Sequence, residues 1–297
     1  MGALSAEVLG VIMAMVDGEP CVLTLGDPPR LPAGPLAPTD GSMQAATRAW
    51  VEQQTGQKLG YLEQLYTFSD VDRAGAPSLQ LSISYLGLTA DTGRAGTTLG
   101  GWRSWYELMP WEDLRGGSPY VATLLAQWSA ADPDATEVRQ LRCAVTFGLD
   151  GHPWQPELAL QRYELLYEAG LVPECPDRWR RPDGDLVAGD RMLGDHRRVF
   201  ATAMARLRAK IQYRPVVFEL LEEEFTLREL QSCVEALAGR TIHTQNFRRL
   251  IDQQDLVEET PHFADTGGRP ARLHRYRRAV HQERQAAGTK LPTSRVR

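Results

Sequence analysis

The stretch that decides the fold of the C-terminal part runs from 218 to 260 and reads FELLEEEFTLRELQSCVEALAGRTIHTQNFRRLIDQQDLVEET. Thr226, followed three residues later by Glu229, is the pattern of a capping box, which predicts that a helix begins there. Gly239 is the residue type that most often ends a helix. After a short turn, a second amphipathic helix is predicted to begin at His243 or Thr244.

Two short apolar stretches follow this second helix, at 255–259 and 271–276, and they bracket a tip that contains Gly267 and Gly268. Apolar runs on either side of a glycine-containing turn are typical of a β-hairpin. Helix, turn, helix and hairpin in this order are the layout of a winged helix-turn-helix, which is a DNA-reading domain.

The spacing of Phe247, Leu250 and Ile251 predicts that these three side chains face the core. The polar residues between them then point outward from the N-terminal half of the helix, which is the half that reaches base edges in such domains. Arginine suits guanine, and glutamine or asparagine suits adenine. The predicted DNA-contacting residues are Thr244, Gln245, Asn246, Arg248 and Arg249 on the helix, with Arg269 and Arg272 on the hairpin. The alternative is a solvated helix face.

Charge is distributed unevenly along the chain of 297 residues, whose formal net charge is −5. Residues 241–297 hold 11 Lys and Arg against 6 Asp and Glu, whereas the other 240 residues hold 22 against 32. A basic C-terminal part on an acidic body is the electrostatic pattern of a nucleic-acid-binding protein. A basic surface that is merely solvated has the same composition.

The N-terminal half has a different pattern. Asp17-Gly18 between two apolar runs predicts a hairpin. Residues 42–56 predict a helix with Ser42 as its N-cap and Gly56 as its C-terminal stop, and 61–68 and 79–89 are rich in strand-forming residues. Further helices are predicted at 120–130, 158–169 and 195–211.

Strands, a loop, a helix that ends in Thr-Gly and further strands resemble a Nudix domain, whose motif is G-x5-E-x7-R-E-U-x-E-E-x-G-U. In that family, glutamates on one helix face hold the Mg²⁺ that bridges a pyrophosphate. With Gly56 on the final glycine of the motif, Gln53 and Gln54 occupy the positions of the Glu-Glu pair and Gly41 replaces the loop glutamate. Arg48 matches the arginine of the motif, and Glu52 one of its acidic positions, only if the helix carries one extra residue. The Nudix motif is therefore degenerate in this chain, and we expect neither metal binding nor catalysis.

Several sequence segments together show a wider resemblance to a known family, which spans most of residues 5–278. The chain resembles the Nudix-related transcriptional regulators of NAD metabolism (the NrtR type, and within it the longer NadQ branch). The segments that show this resemblance are TRAWVEQQTG, YLEQLYTF, LQRYELLYEAGLV, FELLEEEFTLRELQ, NFRRLI and GGRPARLHRY. The resemblance implies an α+β fold, with an N-terminal Nudix-like α/β/α sandwich followed by a C-terminal winged helix-turn-helix.

It also implies a homodimeric repressor of NAD biosynthesis or salvage genes, whose effector is ADP-ribose, NAD or ATP. A cleft that no longer hydrolyses its ligand suits a sensor, because hydrolysis would destroy the signal. Two arginines are candidates for phosphate binding and two aromatics for stacking on adenine. The candidate ligand-binding residues are Arg30, Arg48, Glu52, Gln64, Tyr66 and Phe68. The alternative is that these arginines are ordinary surface residues and that these aromatics belong to the core.

The predicted organisation is a nucleotide-sensing domain at 5–114, a connecting region at 115–192, a DNA-binding domain at 193–280 and a disordered tail at 281–297. Four scattered cysteines with no C-x-x-C pattern favour reduced thiols over a disulfide framework or zinc site. Neither a signal peptide nor a membrane span is predicted, so a cytoplasmic protein is expected.

Two other functions remain open from the sequence. An active Nudix pyrophosphatase acting on ADP-ribose, with an appended basic domain, needs several metal-binding carboxylates on one face, which Gln53 and Gln54 argue against. A nucleotide-responsive adaptor that binds proteins is disfavoured by the four arginines Arg248, Arg249, Arg269 and Arg272.

Overall fold

A computed structural model of the protein describes residues 5–37, 39, 41–69, 80–90, 92, 100–117, 121–176, 185–212, 214–265 and 270–277. The predicted tail at 281–297, Arg269 and the two glycines at the hairpin tip lie outside the described residues.

A mixed sheet forms the centre of the N-terminal half. Its strands are β1 (Ser5–Val16), β2 (Glu19–Leu25), β3 (Ala33–Pro35), β4 (Tyr61–Phe68), β5 (Gln80–Leu88) and β6 (Gly100–Ser104). They lie in the order β4-β5-β1-β2-β6, with β3 paired to β1. The β1–β5 pairing is parallel, whereas the other pairings in the described part of this sheet are antiparallel.

The hairpin turn and the helix ends predicted for this half are confirmed. Asp17 and Gly18 both have positive φ and join β1 to β2, as a tight hairpin with twisted strands requires. Helix α1 (Met43–Thr55) begins at Ser42, whose side chain accepts a hydrogen bond from the backbone N–H of Ala45, and ends at Gly56 in the left-handed conformation. Helix α1 packs on one face of the sheet, where Val51 lies against Ile12 and Leu23.

The other face of the sheet is covered by helices from the rest of the chain. They are α2 (Trp105–Leu108), α3 (Val121–Ala130), α4 (Thr136–Phe147), α5 (Ala159–Glu168) and α6 (His196–Ile211), with short 3-10 turns at 110–112, 156–158 and 216–220. Helices α3, α5 and α6 confirm the helices predicted from the sequence, and α4 was not predicted. Helix α1 on one face and the other helices on the opposite face make the α/β/α sandwich that was expected.

The C-terminal part is a helix-turn-helix with a hairpin, as predicted. Strand β7 (Glu224–Thr226) precedes α7 (Leu227–Ala238) and α8 (Thr244–Gln254), and β8 (Val257–Ala264) pairs with β9 (Ala271–Tyr276). Strand β9 also pairs with β7, which closes a three-stranded sheet. The capping box of Thr226 and Glu229 is present in full, and Gly239 ends α7 in the left-handed conformation.

One continuous apolar cluster connects the two halves. It includes Val11 and Leu65 of the sheet, Phe200 of α6, and Leu230 and Phe247 of the two C-terminal helices. The C-terminal helices are therefore packed onto the N-terminal part rather than joined to it by an open linker. Within the described ranges, no helix is both long and apolar enough to span a bilayer.

Candidate nucleic-acid interface and nucleotide site

Helix α8 presents its polar residues to solvent as predicted. Five residues at its N-terminal half are exposed, namely Thr244, Gln245, Asn246, Arg248 and Arg249. Phe247 is buried and fixes the rotation of the helix on the domain. Among the described residues, neither arginine of this set has an ion-pair or hydrogen-bond partner, so both guanidinium groups are available to a ligand.

The hairpin formed by β8 and β9 carries arginines that already have partners. Arg272 pairs with Glu259 at 3.2 Å, and its guanidinium lies 4.8 Å from the centre of the Phe263 ring. Arg275 and Arg277 both pair with Glu258. Because these three arginines already have partners, they are less free to bind an anion than the arginines of α8.

One core prediction on α8 is wrong. Leu250 was expected to be buried with Phe247 and Ile251, but its exposed fraction is 49%. It lies at the edge of a cavity of about 1170 Å³ that α6, α7 and α8 surround, together with Val217 and Phe218. The helical spacing placed Leu250 on the correct face, but the neighbouring helices do not come close enough to cover it.

Gln54 of α1 has a structural role. Its side-chain amide donates a hydrogen bond to the carbonyl of Ala33 at 2.8 Å, and its carbonyl accepts one from the Ala33 N–H at 3.2 Å. Helix α1 is thereby tied to β3. A glutamate can accept the second bond but cannot donate the first, so an amide is the better residue for this contact. The neighbouring Gln53 is exposed.

Arg48 and Glu52, which were predicted to bind ligand, both have partners near the end of α1. The Arg48 guanidinium donates to the backbone carbonyls of Leu59 and Gly60, the latter at 2.8 Å. Glu52 is exposed and lies 3.9 Å from the Lys58 ammonium. The Arg48 contacts hold the loop before β4, which makes this arginine a structural residue in the described conformation.

A β-bulge separates the candidate residues of β4. The register pairs Gln64 with Tyr85 and Tyr66 with Ser84, and it shifts at the intervening Leu65. Because cross-strand partners share a face, Gln64 lies on the α1 side with Tyr85, whereas Tyr66 and Phe68 lie on the α6 side. The candidate ligand residues therefore do not all line one site.

The two aromatic candidates differ in exposure. Tyr66 has an exposed fraction of 58%, whereas Phe68 has 7% and belongs to the core. Their ring centres are 5.2 Å apart, and the Arg198 guanidinium of α6 lies 5.2 Å from the centre of the Phe68 ring. Phe68 is thus a core residue, which was the alternative to ligand binding. Of the two aromatics, Tyr66 is the one that a ligand can reach.

Arg30 is exposed and lies where the loop after β2 returns to the sheet. Its backbone makes two hydrogen bonds with Leu25, of 2.8 and 2.9 Å. The next residue, Leu31, donates its N–H to Nδ1 of His196 at 2.9 Å, at the start of α6. Burial, with a smaller contribution from the positive charge of Arg30, lowers the pKa of His196 to about 4. The ring is therefore neutral at physiological pH and acts as an acceptor.

The part of the chain that the structure describes contains no group of three or more His, Cys, Asp and Glu side chains placed to hold a metal ion. Asp190, which belongs to the polar segment after α5, pairs with Arg103.

Comparison with known proteins agrees with this geometry. Residues 217–276 match the family model of the NrtR DNA-binding winged helix domain. The chain carries an NrtR winged helix domain. A curated relative, the ADPR responsive transcriptional repressor NtrR of Acinetobacter baylyi, is 37% identical over 82 residues. That match covers 28% of this chain and 33% of the relative, so the chain matches about a third of the relative's length.

Solved structures extend the likeness to nearly the whole chain. NrtR of Shewanella oneidensis, crystallised with a 27mer DNA, superposes with a TM-score of 0.54 at 20% identity, over 93% of this chain and 95% of that one. A MutT/nudix family protein of Enterococcus faecalis has a TM-score of 0.54 at 16% identity, over 93% and 87% of the two chains. These structural matches establish the fold. The match to the family model and the A. baylyi relative confirm the predicted resemblance to NrtR. The NadQ branch stays a prediction.

The NrtR winged helix domain is joined to the rest of the chain through a buried ionic cluster that sequence reasoning missed. The Glu112 carboxylate accepts hydrogen bonds from Arg162 at 2.6 and 2.9 Å and also pairs with Arg208 of α6. Burial alone would raise the pKa of Glu112, but the guanidinium groups of Arg162 and Arg208 hold it below its ordinary value. The carboxylate is therefore ionised, as its two cationic partners require.

The same cluster holds the C-terminal end of α7, the first helix of the NrtR domain. Arg208 donates to the carbonyl of Leu237 at 2.7 Å, and Leu114 donates its N–H to the carbonyl of Gly239 at 2.8 Å. The Tyr106 hydroxyl donates to the carbonyl of Ala236. The carbonyls that a helix leaves unsatisfied at its end are thus bound by the N-terminal part and by α6.

Helix α6 contacts both the region of the candidate nucleotide site and the winged helix domain. Its first residue, His196, holds the loop of Arg30, and near its end the Lys210 ammonium pairs with Glu63 and donates to the Tyr61 hydroxyl of β4 at 2.9 Å. Arg208, two residues before Lys210, binds the NrtR domain. The predicted boundary at residue 193 stays a prediction, but α6 itself lies at the junction of the two halves.

Proposed function

We propose that this chain is a DNA-binding transcriptional repressor that responds to an NAD-related adenine nucleotide. The observation that carries the proposal is the pair of exposed, unpartnered arginines at 248 and 249 on the second helix of an NrtR winged helix domain. Guanidinium groups that have no partner within the described chain lose little when they bind phosphate or guanine.

The proposed effector is ADP-ribose, with NAD and ATP as the other adenine nucleotides to compare. One support is the A. baylyi relative, whose name describes a repressor that responds to ADPR. The N-terminal fold, which is also that of a MutT/nudix family protein, is a second support. Of the candidate residues, Arg30 and Tyr66 are both exposed and both near α6, so we propose them for contact with phosphate and adenine respectively.

The proposed sensor does not hydrolyse its ligand. Gln53 and Gln54 stand where a Nudix enzyme carries its glutamate pair, and the amide of Gln54 is used to bind Ala33. A single exposed carboxylate, Glu52, does not supply the several oxygen ligands that Mg²⁺ needs.

Binding to DNA is proposed to involve two copies of the chain on a palindromic operator, with half-sites about one helical turn apart. The genes under control are proposed to be those of NAD biosynthesis or salvage, as the family resemblance implies. Because α6 touches both the region of the candidate nucleotide site and the end of α7, a nucleotide that favours one arrangement of the junction would shift the population that binds DNA.

The test is binding to labelled DNA from the protein's own upstream region and from NAD-biosynthesis promoters, at several salt concentrations and then with ADP-ribose, NAD or ATP. We expect affinity to fall with salt and to change with one nucleotide. Arg248→Ala with Arg249→Ala is expected to cost about 1–3 kcal/mol for each arginine that contacts a base, which is roughly 5-fold to 150-fold in affinity for each.

Arg191→Ala, at an exposed arginine in the loop before α6, is the matched control and should leave binding unchanged. If the double variant binds specific DNA as well as the natural sequence does, the assignment of α8 as recognition helix is wrong. If no DNA is bound specifically under any condition, the regulator proposal fails. Cleavage of ADP-ribose with Mg²⁺ would then be the next assay, because it tests the pyrophosphatase alternative.

A further inference from the structure

The cavity between α6, α7 and α8 has a mostly aliphatic wall. Its volume is about 1170 Å³, and its lining includes Ile211 of α6, Val234 of α7, Ile251 of α8 and Val217 of the 3-10 turn. Leu250 lies at its edge with an exposed fraction of 49%, so the cavity opens to solvent. A concave, largely apolar space with a few polar groups is the usual form of a small-molecule site.

The charged side chains that line this cavity are both cationic. They are Arg208 and Arg214, and none of the described lining residues is Asp or Glu. Arg208 belongs to the buried cluster in which one carboxylate, that of Glu112, serves two guanidinium groups. Arg214 is exposed, and among the described residues its side chain has no hydrogen-bond or ion-pair partner. The cavity therefore favours a negative charge beside Arg214.

A carboxylate of the chain approaches this end of the cavity without lining it. Glu157 accepts a hydrogen bond at 3.2 Å from the side chain of Gln212, which does line the cavity. Glu157 is thus held by an amide and leaves the guanidinium of Arg214 unpaired. An anion that enters from solvent gains a charge-assisted hydrogen bond there and breaks no ion pair.

We propose that this cavity binds a small amphipathic carboxylate, which has an aliphatic chain and a single anionic head. The head pairs with Arg214 at the rim, and the chain lies against Val217, Val234 and Ile251 and covers Leu250. Burial of a chain against these side chains removes apolar surface of both ligand and protein from water. The ligand is different from the proposed nucleotide, and its site is separate from Arg30 and Tyr66.

The chemistry of the wall argues against a nucleotide in this cavity. A nucleoside diphosphate carries two or more charges and many hydroxyl groups, which an aliphatic wall with one unpaired guanidinium leaves without partners. A long-chain cation would meet two arginines and no carboxylate in the lining. The preferred order is therefore carboxylate, then cation of the same chain length.

The first experiment is calorimetric titration of the full chain with decanoate and, separately, with decylammonium. We expect decanoate to bind one site in the micromolar range and decylammonium to bind about tenfold more weakly, since the two differ in the sign of the head. Equal affinities would mean unspecific apolar binding, and no binding of decanoate at about 1 mM would mean that the cavity takes no such ligand. Either result overturns the proposal.

Arg214→Ala tests the position of the head. The residue is exposed, so folding is expected to be unchanged, and decanoate should bind about five- to tenfold more weakly, with decylammonium not weakened. Arg206→Ala, at an exposed arginine of α6 that does not line the cavity, is the matched control and should leave both affinities unchanged. Equal decanoate affinities of the two variants would remove Arg214 from the site and overturn the proposal.

Val234→Phe tests the position of the chain. The larger side chain takes up space in the cavity, and we expect decanoate to bind about tenfold more weakly or not at all. Circular dichroism checks that this variant folds; if it does not, the pair of arginine variants decides. A folded Val234→Phe chain with undiminished decanoate affinity would place the aliphatic chain elsewhere.

Hydrogen exchange locates the bound decanoate without reference to DNA or nucleotide. We expect slower backbone exchange in peptides that cover α7 and α8, because the chain adds contacts between these helices and α6. Slowing confined to residues 5–176 would show a different site and contradict the proposal. A chain that binds decanoate but no operator would contradict the proposed function alone, so the two failures are distinguishable.

Discussion

Gln54, which the predicted alignment with the Nudix motif puts at the position of a metal-binding glutamate, places both ends of its amide against the backbone of Ala33. In that alignment, the amide does more than remove a metal ligand. It supplies the N–H donor that fastens α1 to β3, so restoring the glutamate has a structural cost. The adjacent Gln53 makes no such contact within the described residues and is exposed.

For Gln54→Glu we expect a loss of about 1–3 kcal/mol in the free energy of unfolding, because the carboxylate leaves the Ala33 carbonyl without its donor and places two acceptors together. Urea denaturation measures this. Gln53→Glu at the neighbouring exposed position should change stability by less than about 0.5 kcal/mol. Equal effects of the two substitutions would show that the contact with Ala33 is not what distinguishes them.

At the scale of elements, the end of α7 is the most constrained point of the helix-turn-helix. Gly239 has a φ of +66°, and a Cβ there would lie 2.1 Å from the carbonyl oxygen of Glu112. The glycine is required both by the left-handed backbone and by the approach of the N-terminal part. Gly18, at the tip of the β1–β2 hairpin, has a φ of +81°, but a Cβ added there would meet no atom within 4 Å.

This contrast predicts different costs for the same substitution. Gly18→Ala is expected to cost about 1–2 kcal/mol, which is the strain of a left-handed backbone alone. Gly239→Ala adds a steric clash with backbone and is expected to cost about 2–4 kcal/mol in total. Thermal unfolding of both variants compares them, and a Gly239→Ala chain as stable as Gly18→Ala would mean that the junction relaxes easily.

At the scale of the whole molecule, α6 is the element that both halves share. Lys210 binds Glu63 and Tyr61 of β4, Arg208 binds Glu112 and the end of α7, and His196 receives the N–H of Leu31 beside the candidate Arg30. A displacement at the sheet would therefore reach the C-terminal helices through the contacts of one helix rather than through an open linker.

Lys210→Met is therefore expected to reduce the effect of nucleotide on DNA affinity at least about threefold while leaving DNA affinity without nucleotide close to natural, because it removes a contact to β4 and none to α8. Methionine keeps the aliphatic stem of this nearly buried side chain. Arg206→Met, on the exposed side of α6, is the control. A Lys210→Met chain with an undiminished nucleotide response would place the coupling elsewhere.

The sequence alone determined the parts of this protein that obey short-range rules. The capping box of Thr226 and Glu229, the Asp17-Gly18 turn and the two ends of α1 each depend on residues within four positions of one another, so the local pattern is sufficient. The order of these elements, together with the family resemblance, predicted a Nudix-like sandwich followed by a winged helix. The spacing of apolar residues predicted the outward face of α8.

Other features depended on contacts between distant residues, which only the tertiary structure decides. Helix α4 was not predicted because it has apolar residues on two sides, so no single stripe marks it. The bulge at Leu65 separates Gln64 from Tyr66, although their spacing along a regular strand would put them on one face.

The buried ionic cluster around Glu112 also depends on contacts between distant residues. Glu112 lies 50 residues from Arg162 and 96 from Arg208, so nothing near it in the sequence marks its carboxylate as a buried partner. Burial of a charge is favourable only where opposite charges converge on it, and that convergence is a property of the packed helices. The sequence thus determines which local elements form, and the packing of α6 between the sheet and α7 decides how the two halves are joined.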